Sequence, residues 1–151
     1  MRVRRATEAD VSVLLPLVRA YWEFESISGF DSDQIARQLE RLLSEPYLGA
    51  GWIALEDDIA VGYLLAVYVF SLEHKGLTAE IDELFVSPTV RSLGVGAELI
   101  RDAEVEFVRT GCMNVSLQLS RTNDAARRFY HRHGYEERTS YELLEKALYP
   151  A

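Results

Sequence analysis

The chain has 151 residues, a formal net charge of −8 and one cysteine, Cys112. That balance excludes general binding to a nucleic-acid backbone, which needs a basic surface, and a lone cysteine excludes an intrachain disulfide scaffold, so a reducing cytoplasm is the expected compartment. With 48% hydrophobic and 26% charged residues, the expectation is one globular domain over residues 1–151 with its own core, and neither a leader peptide after Met1-Arg2-Val3-Arg4-Arg5 nor a bilayer-spanning run, the longest apolar stretch being near Tyr63 to Phe70.

Residues Arg2 to Ala6 suit a short first strand. Thr7 has the chemistry of a helix N-cap, with Asp10 where a capping-box Glu would stand. Val11, Leu14, Leu15, Val18 and Trp22 recur at helical spacing, which predicts an amphipathic helix from Glu8 to about Glu25. Pro16 conflicts with that helix unless it kinks or starts late. After a break containing Gly29, Asp31 or Ser32 can cap a second helix with Ile35, Leu39, Leu42 and Leu43 on one face, ended by Glu45-Pro46. Gly51 to Leu55 and Ala60 to Ser71 read as strands joined by a turn at Glu56-Asp57-Asp58. A polar connection, Leu72 to Thr78, leads to a fourth strand from Ala79 to Ser87, stopped by Pro88.

A glycine-containing loop then opens a helix from about Val95 to Thr110, with Leu99, Ala103 and Phe107 inward and Gly111 as its C-cap. Asn114 to Leu119 alternates as a fifth strand, and Asn123 to His133 is helical, closed by Gly134. From Tyr135 to about Leu148 the pattern suits one or two last strands, although Leu143-Leu144-Glu145-Lys146 suits a helix equally. Helices interleaved with strands predict an α/β (α+β layered) fold around one sheet.

The loop between the fourth strand and the following helix has a distinct chemistry. The first amides of a helix lack internal partners and carry the positive end of its dipole, so Arg91-Ser92-Leu93-Gly94-Val95-Gly96 can hold a pyrophosphate on backbone N–H groups. Glycine lets backbone and ligand approach closely, and Arg91 adds a cation at the mouth. These six residues alone fit a plain tight turn equally well. No Lys follows Gly96, as a Walker-type loop requires, and a dinucleotide fingerprint would need a third glycine.

The neighbours of the loop carry more. Glu80-Ile81-Asp82-Glu83-Leu84-Phe85-Val86-Ser87-Pro88 followed by Arg91-x-x-Gly94-x-Gly96 resembles the acetyl-CoA-binding core of the GNAT (GCN-related N-acetyltransferase) superfamily. Downstream, Asn123-x-x-Ala126-x-x-Phe129-Tyr130-x-x-x-Gly134-Tyr135 is similar to a second segment of that family, in its order and at its usual separation. The element order over the whole chain fits as well. The departure is Ser92-Leu93, where the family usually has a Gly and a basic or polar residue.

The resemblance implies a central mixed, mostly antiparallel sheet of about six to seven strands, split between strands 4 and 5, with helices on both faces. It implies transfer of acetyl from acetyl-CoA to a primary amine by direct attack through a tetrahedral intermediate. Backbone groups of Leu84 and Val86, flanking Phe85, would pair with the pantetheine arm, and an amide near Val86 would hold the oxyanion. Arg91, Ser92, Leu93, Gly94, Val95, Gly96 and Ala97 would cradle the pyrophosphate. Asn123, Ala126 and Phe129 complete the cofactor segment, Asn123 serving also as a helix cap. Tyr130 would protonate the leaving thiolate, the competing role being a ring packed beside Phe129.

A carboxylate, or a water chain ending on one, usually takes the proton of the amine, and the resemblance ranks Glu83 and Asp82 above Glu80. Plain strand alternation would put Glu80 and Asp82 on one face and Glu83 on the other; a bulge, frequent in this family's strand, would disturb that. The acceptor would meet the end of the first helix, where Tyr21, Trp22, Phe24 and Glu25 stand, with Glu80 nearby. Aromatics beside carboxylates suit a cation, and core packing of Trp22 and Phe24 is the competing role. The acceptor is expected to be a small-molecule or peptide amine, with no nucleic acid or membrane as partner, and relatives suggest a homodimer. No metal is expected, since His131 and His133 lack the i, i+4 spacing of a metalloprotease helix. Two further readings stay open: a CoA-binding regulatory module without turnover on the same fold, and a binder of another nucleotide phosphate.

Overall fold

The computed structural model describes residues 1–91 and 93–149. By the density of its internal contacts the chain divides into two compact units, Met1–Gln118 and Leu119–Ala151.

The first unit is a sheet with helices on both faces. Its strands β1 (Arg2–Arg5), β2 (Gly49–Glu56), β3 (Ile59–Ser71), β4 (Gly76–Val86) and β5 (Val115–Leu117) lie in the order β1-β2-β3-β4-β5. Neighbours are antiparallel except β4 and β5, which run parallel. Its helices are α1 (Val11–Phe24), α2 (Ser32–Ser44) and α3 (Val95–Thr110).

Strand periodicity assigns the two faces. Ile53 pairs with Tyr63, and Tyr63 with Phe85. These residues share a buried cluster with Leu14 and Val18 of α1 and Leu39 of α2. Trp52, one residue from Ile53, points the other way. Its ring meets Phe107 of α3 edge-on at 5.6 Å, and Leu99, Ile100 and Ala103 of that helix are buried as well.

The helix ends follow local chemistry. The Thr7 amide donates to Asp10 Oδ2 at 2.8 Å, as a capping box predicts, and Arg4 grips both oxygens of the same carboxylate at 2.9 Å each. A 3-10 turn at Glu8–Asp10 precedes α1, so the helix starts later than its apolar periodicity suggests. Pro16 is accommodated inside it on the exposed face, where water can reach the carbonyl one turn back. Asp31 caps α2 by accepting from Gln34 N at 3.0 Å. Gly111 ends α3 in the left-handed conformation at φ 96°.

The second unit contains α4 (Asp124–Arg132). The Asn123 side chain caps it by accepting from Ala126 N at 3.1 Å. Gly134 follows at φ 88°, and the Tyr135 amide returns to Tyr130 O at 3.0 Å.

The strand count corrects the sequence-based expectation. Instead of six to seven strands, the described residues form five. The described residues from Tyr135 onward form neither strand nor helix. Leu143 and Leu144 are adjacent, so a strand would turn them to opposite faces, and both are exposed. Without burial on either side, nothing offsets the entropy of ordering them.

Candidate active site

The site is built on the half of β4 that β5 does not cover. Pairing with β5 involves only Ala79, Ile81 and Glu80 between them, against Val115, Leu117 and Ser116. Beyond Ile81, β4 runs on to Val86 with β3 on one side. The expected split between strands 4 and 5 is this divergence.

A β-bulge then sets the phase of the uncovered half. Ala66 pairs with Ile81, but Leu65 pairs with Glu83, so Asp82 is the extra residue. Before the bulge, Ala79 N donates to Asn114 O on the β5 side. After it, Ser87 N donates to Val61 O on the β3 side. Backbone groups alternate along a strand. Leu84 and Val86 therefore turn their N–H and C=O groups away from β3, to the side that β5 has left.

The same bulge changes the faces that plain alternation gives the carboxylates. Glu80 pairs with Val67 and Glu83 with Leu65, two positions on one face of β3. Glu80 and Glu83 thus share the face that α1 and α2 cover, rather than opposite faces. Asp82, in the bulge, is exposed.

Glu83 is half-buried and held at both oxygens. Tyr63 OH donates to Oε1 at 2.9 Å and Trp22 Nε1 to Oε2 at 3.1 Å. Burial pushes the Glu83 carboxyl up to about 7, the two hydrogen bonds oppose that rise, and the negative charge of Asp82 adds to it. Tyr63 is completely buried. Burial, followed by the charge of Glu83, raises its phenol far above the ordinary range, so it stays a donor. Glu80 has a different partner, Gln118 Nε2 at 3.3 Å.

Aromatic rings surround the pair. Tyr21 meets Tyr63 edge-on at 6.4 Å and Phe85 at 6.2 Å, and Trp22 meets Phe30 at 5.5 Å. Phe24 is exposed rather than packed into the core. The Arg91 guanidinium lies 5.0 Å from the Phe24 ring and 5.6 Å from that of Phe85, and its Nε donates to Val86 O at 3.0 Å. Glu25 stands at the C-terminal end of α1.

Past Arg91 the chain enters α3. Gly94 caps the helix at φ 84°, a conformation that a side chain resists. Its carbonyl accepts from Glu98 N at 3.1 Å. The amides of Val95, Gly96 and Ala97 are the first-turn donors that no helical carbonyl reaches. A side chain at Gly94 would meet nothing within 4 Å, so its role is conformational. Leu93 is exposed, and Ser92 lies outside the described residues.

The remaining predicted residues belong to the second unit. Asn123 and Ala126 form the α4 cap. The Phe129 ring meets that of Tyr130 at 5.2 Å and His133 at 4.6 Å, and Tyr130 meets Tyr135 at 5.6 Å.

Among the predicted residues of the first unit, Trp22, Glu83, Leu84, Phe85, Val86 and Arg91 come together. Sequence reasoning missed Tyr63. A buried tyrosine hydroxyl needs a partner, and that was the available signal, but its position in an apolar strand gave no hint of Glu83. Among the described residues no group of three or more His, Cys, Asp or Glu side chains could hold a metal ion, and no helix is long and apolar enough to cross a membrane.

The molecule is thus a layered α/β sheet in which β4 outruns β5 at the half-buried Glu83 and leads into a glycine-capped helix. The chain belongs to the acetyltransferase (GNAT) family, whose model it matches over residues 14–135. It is 29% identical to an uncharacterized N-acetyltransferase, YhfO, of Bacillus subtilis, with 93% of each chain covered. An integron cassette protein from the mobile metagenome of Cole Harbour Salt Marsh shares the fold at a TM-score of 0.86 and 30% identity, covering 99% of this chain and 91% of that one. The aminoglycoside N-acetyltransferase AAC(6')-Iy in complex with CoA shares the fold at a TM-score of 0.79 and 20% identity, over 99% and 93% of the two chains.

Proposed function

We propose that this protein transfers acetyl from acetyl-CoA to a primary amine, either a small cationic amine or a peptide lysine, with Glu83 as the general base. The observation that carries the reading is the placement of Glu83, its carboxyl near 7, one residue before the uncovered edge at Leu84 and Val86. A base poised near the operating pH is the efficient one.

Acetyl-CoA supplies the acetyl group activated as a thioester. The residues present suit it: β4 turns the backbone groups of Leu84 and the Val86 N–H away from β3 for an amide-containing arm, the Val86 carbonyl being held by Arg91, and α3 offers free first-turn amides and Arg91 for a pyrophosphate. Asn123, Ala126 and Phe129 are carried into the cofactor role by their motif, as are Leu93, Val95, Gly96 and Ala97. Tyr21, Trp22, Phe24, Glu25 and Glu80 are assigned to the acceptor side.

The steps balance as follows. Glu83 takes one proton from the ammonium of the acceptor. The freed lone pair forms the C–N bond at the thioester carbonyl carbon, and the Val86 N–H stabilises the oxygen as it gains charge. The C–S bond breaks. Tyr130 gives its proton to the departing sulfur and regains one from the new amide nitrogen. One proton per turnover leaves through Glu83.

The test is an acceptor screen with acetyl-CoA read by free thiol release, alongside calorimetry with CoA. Binding of CoA with thiol release on some amine supports the reading. Absence of CoA binding sinks it, and full turnover in Tyr130→Phe would move the acid elsewhere.

A further inference from the structure

Every hydrogen bond described for the Glu83 carboxylate comes from a side chain outside its own strand. Tyr63 reaches Oε1 from β3 at 2.9 Å and Trp22 reaches Oε2 from α1 at 3.1 Å. Neither donor is free to wander. The Tyr63 ring is completely buried and wedged against Tyr21, and the Trp22 ring stands edge-on to Phe30 at 5.5 Å. A carboxylate has about four lone-pair sites, so one bond on each oxygen leaves sites for an incoming amine. The bulge at Asp82 is what brings Glu83 onto the Tyr63 face.

We propose that Tyr63 and Trp22 are positioning residues of the acetyl-transfer reaction, clamping one oxygen each of Glu83 so that a fixed lone pair faces the amine. The proposal rests on the reading of Glu83 as the general base. Tyr63 has no exposed surface, so it acts on the reaction only through Glu83.

The charges around the clamp set the sign of its effect. Tyr63, Asp82 and Trp22 bear on Glu83, and Tyr21 and Asp82 bear on Tyr63. Both hydrogen bonds favour the ionised carboxylate, while burial and Asp82 oppose it. Removing either donor therefore moves the titration of Glu83 to higher pH.

The experiment uses Tyr63→Phe and Trp22→Phe, which keep an aromatic ring and delete one donor each. Two signals are followed: the pH titration of the Glu83 side-chain carboxyl by carbon NMR of glutamate-labelled protein, assigned by its loss in Glu83→Gln, and the pH dependence of kcat/KM. In each variant both midpoints should rise by about one pH unit, giving about a fivefold loss of kcat/KM at pH 7 that is largely recovered by about pH 9. A melting curve for each variant verifies folding, and the two substitutions lie in different elements, so loss of one fold leaves the other informative.

An unmoved NMR midpoint in a folded variant overturns the clamp. A kcat/KM reduced by the same factor at every pH overturns it too, because a purely structural role would act that way. If the NMR midpoint moves while the rate profile stays put, Glu83 is not the base, and the catalytic purpose of the clamp falls with it.

Discussion

The two halves of β4 put the same kind of strand to different use. From Ala79 to Ile81 it is sandwiched between β3 and β5, and its glutamate, Glu80, leans on Gln118. From Glu83 to Val86 it has β3 on one side, and its glutamate is half-buried and held between Tyr63 and Trp22. Both glutamates face the same helices, so face and residue type do not separate them. The difference comes from the single extra residue at Asp82 and from the early end of β5. A strand covered on both sides has its backbone spent on structure; one that outruns its neighbour keeps hydrogen-bonding capacity for a ligand.

The sharpest way to break that comparison is to neutralise the two carboxylates in turn. Glu83→Gln should lower kcat/KM at neutral pH by roughly a hundred- to ten-thousand-fold, the usual range for a lost general base. Glu80→Gln should cost far less, about two- to tenfold and mainly in KM, because Glu80 is assigned to the acceptor side but takes no proton. Steady-state thiol release on an active acceptor measures both, and equal losses would end the distinction between the halves.

Stability should respond in the opposite sense. Because the folded protein raises Glu83 from 4.5 to about 7, it binds the extra proton more tightly than the unfolded chain does. Stability from this group is therefore present at acid pH and falls as pH rises through that window. Glu83→Gln removes the loss, so the variant should gain about 1–2 kcal/mol over the parent between pH 5 and 8. Melting curves across that range should show an advantage of about 3–6 °C that grows mainly between pH 5 and 7 and is nearly complete by pH 8. A variant as stable relative to the parent at pH 5 as at pH 8 would mean that the carboxyl titrates normally.

Backbone exchange tests the edge itself. The amides of Leu84 and Val86 should exchange faster than those of Glu83 and Phe85, which face β3. Addition of CoA should slow the first pair by about tenfold or more and leave the second pair little changed. Protection spread evenly along β4 would place the ligand elsewhere.

How much of this was legible depends on where the determining contact lies. The bounds of α3 follow from Gly94 and Gly111, whose left-handed backbone has a strong local residue preference. The caps of the 3-10 turn before α1, of α2 and of α4 were readable at Thr7, at Asp31 or Ser32, and at Asn123, residue types with an equally strong local preference. The phase of β4 was not. No Gly or Pro marks the bulge at Asp82, and its register is fixed by pairing with β3. Tyr63 was invisible as a site residue because its partner lies 20 residues away in sequence. The expected last strands failed on the opposite count: the apolar residues from Tyr141 onward fit a strand pattern in part, but no burial supports them.

The smallest effect concerns the loop that carries the uncovered half of β4 into α3, set against the other end of that helix. Gly94 and Gly111 both adopt positive φ, 84° and 96°, and a side chain at either would meet nothing within 4 Å. Alanine at each should therefore cost only the conformational penalty of about 1 kcal/mol, measured by urea denaturation. The two should part company with ligand present. At Gly94, a strained or shifted cap misaims the amides of Val95, Gly96 and Ala97, and CoA affinity should drop about three- to tenfold by calorimetry, with the loss diminishing for a dephosphorylated pantetheine fragment. At Gly111 the affected end of α3 carries carbonyls, which repel phosphate, and affinity should be unchanged. Equal affinity in the two variants would show that the start of α3 does not hold the pyrophosphate, leaving the β4 edge to bind the ligand alone.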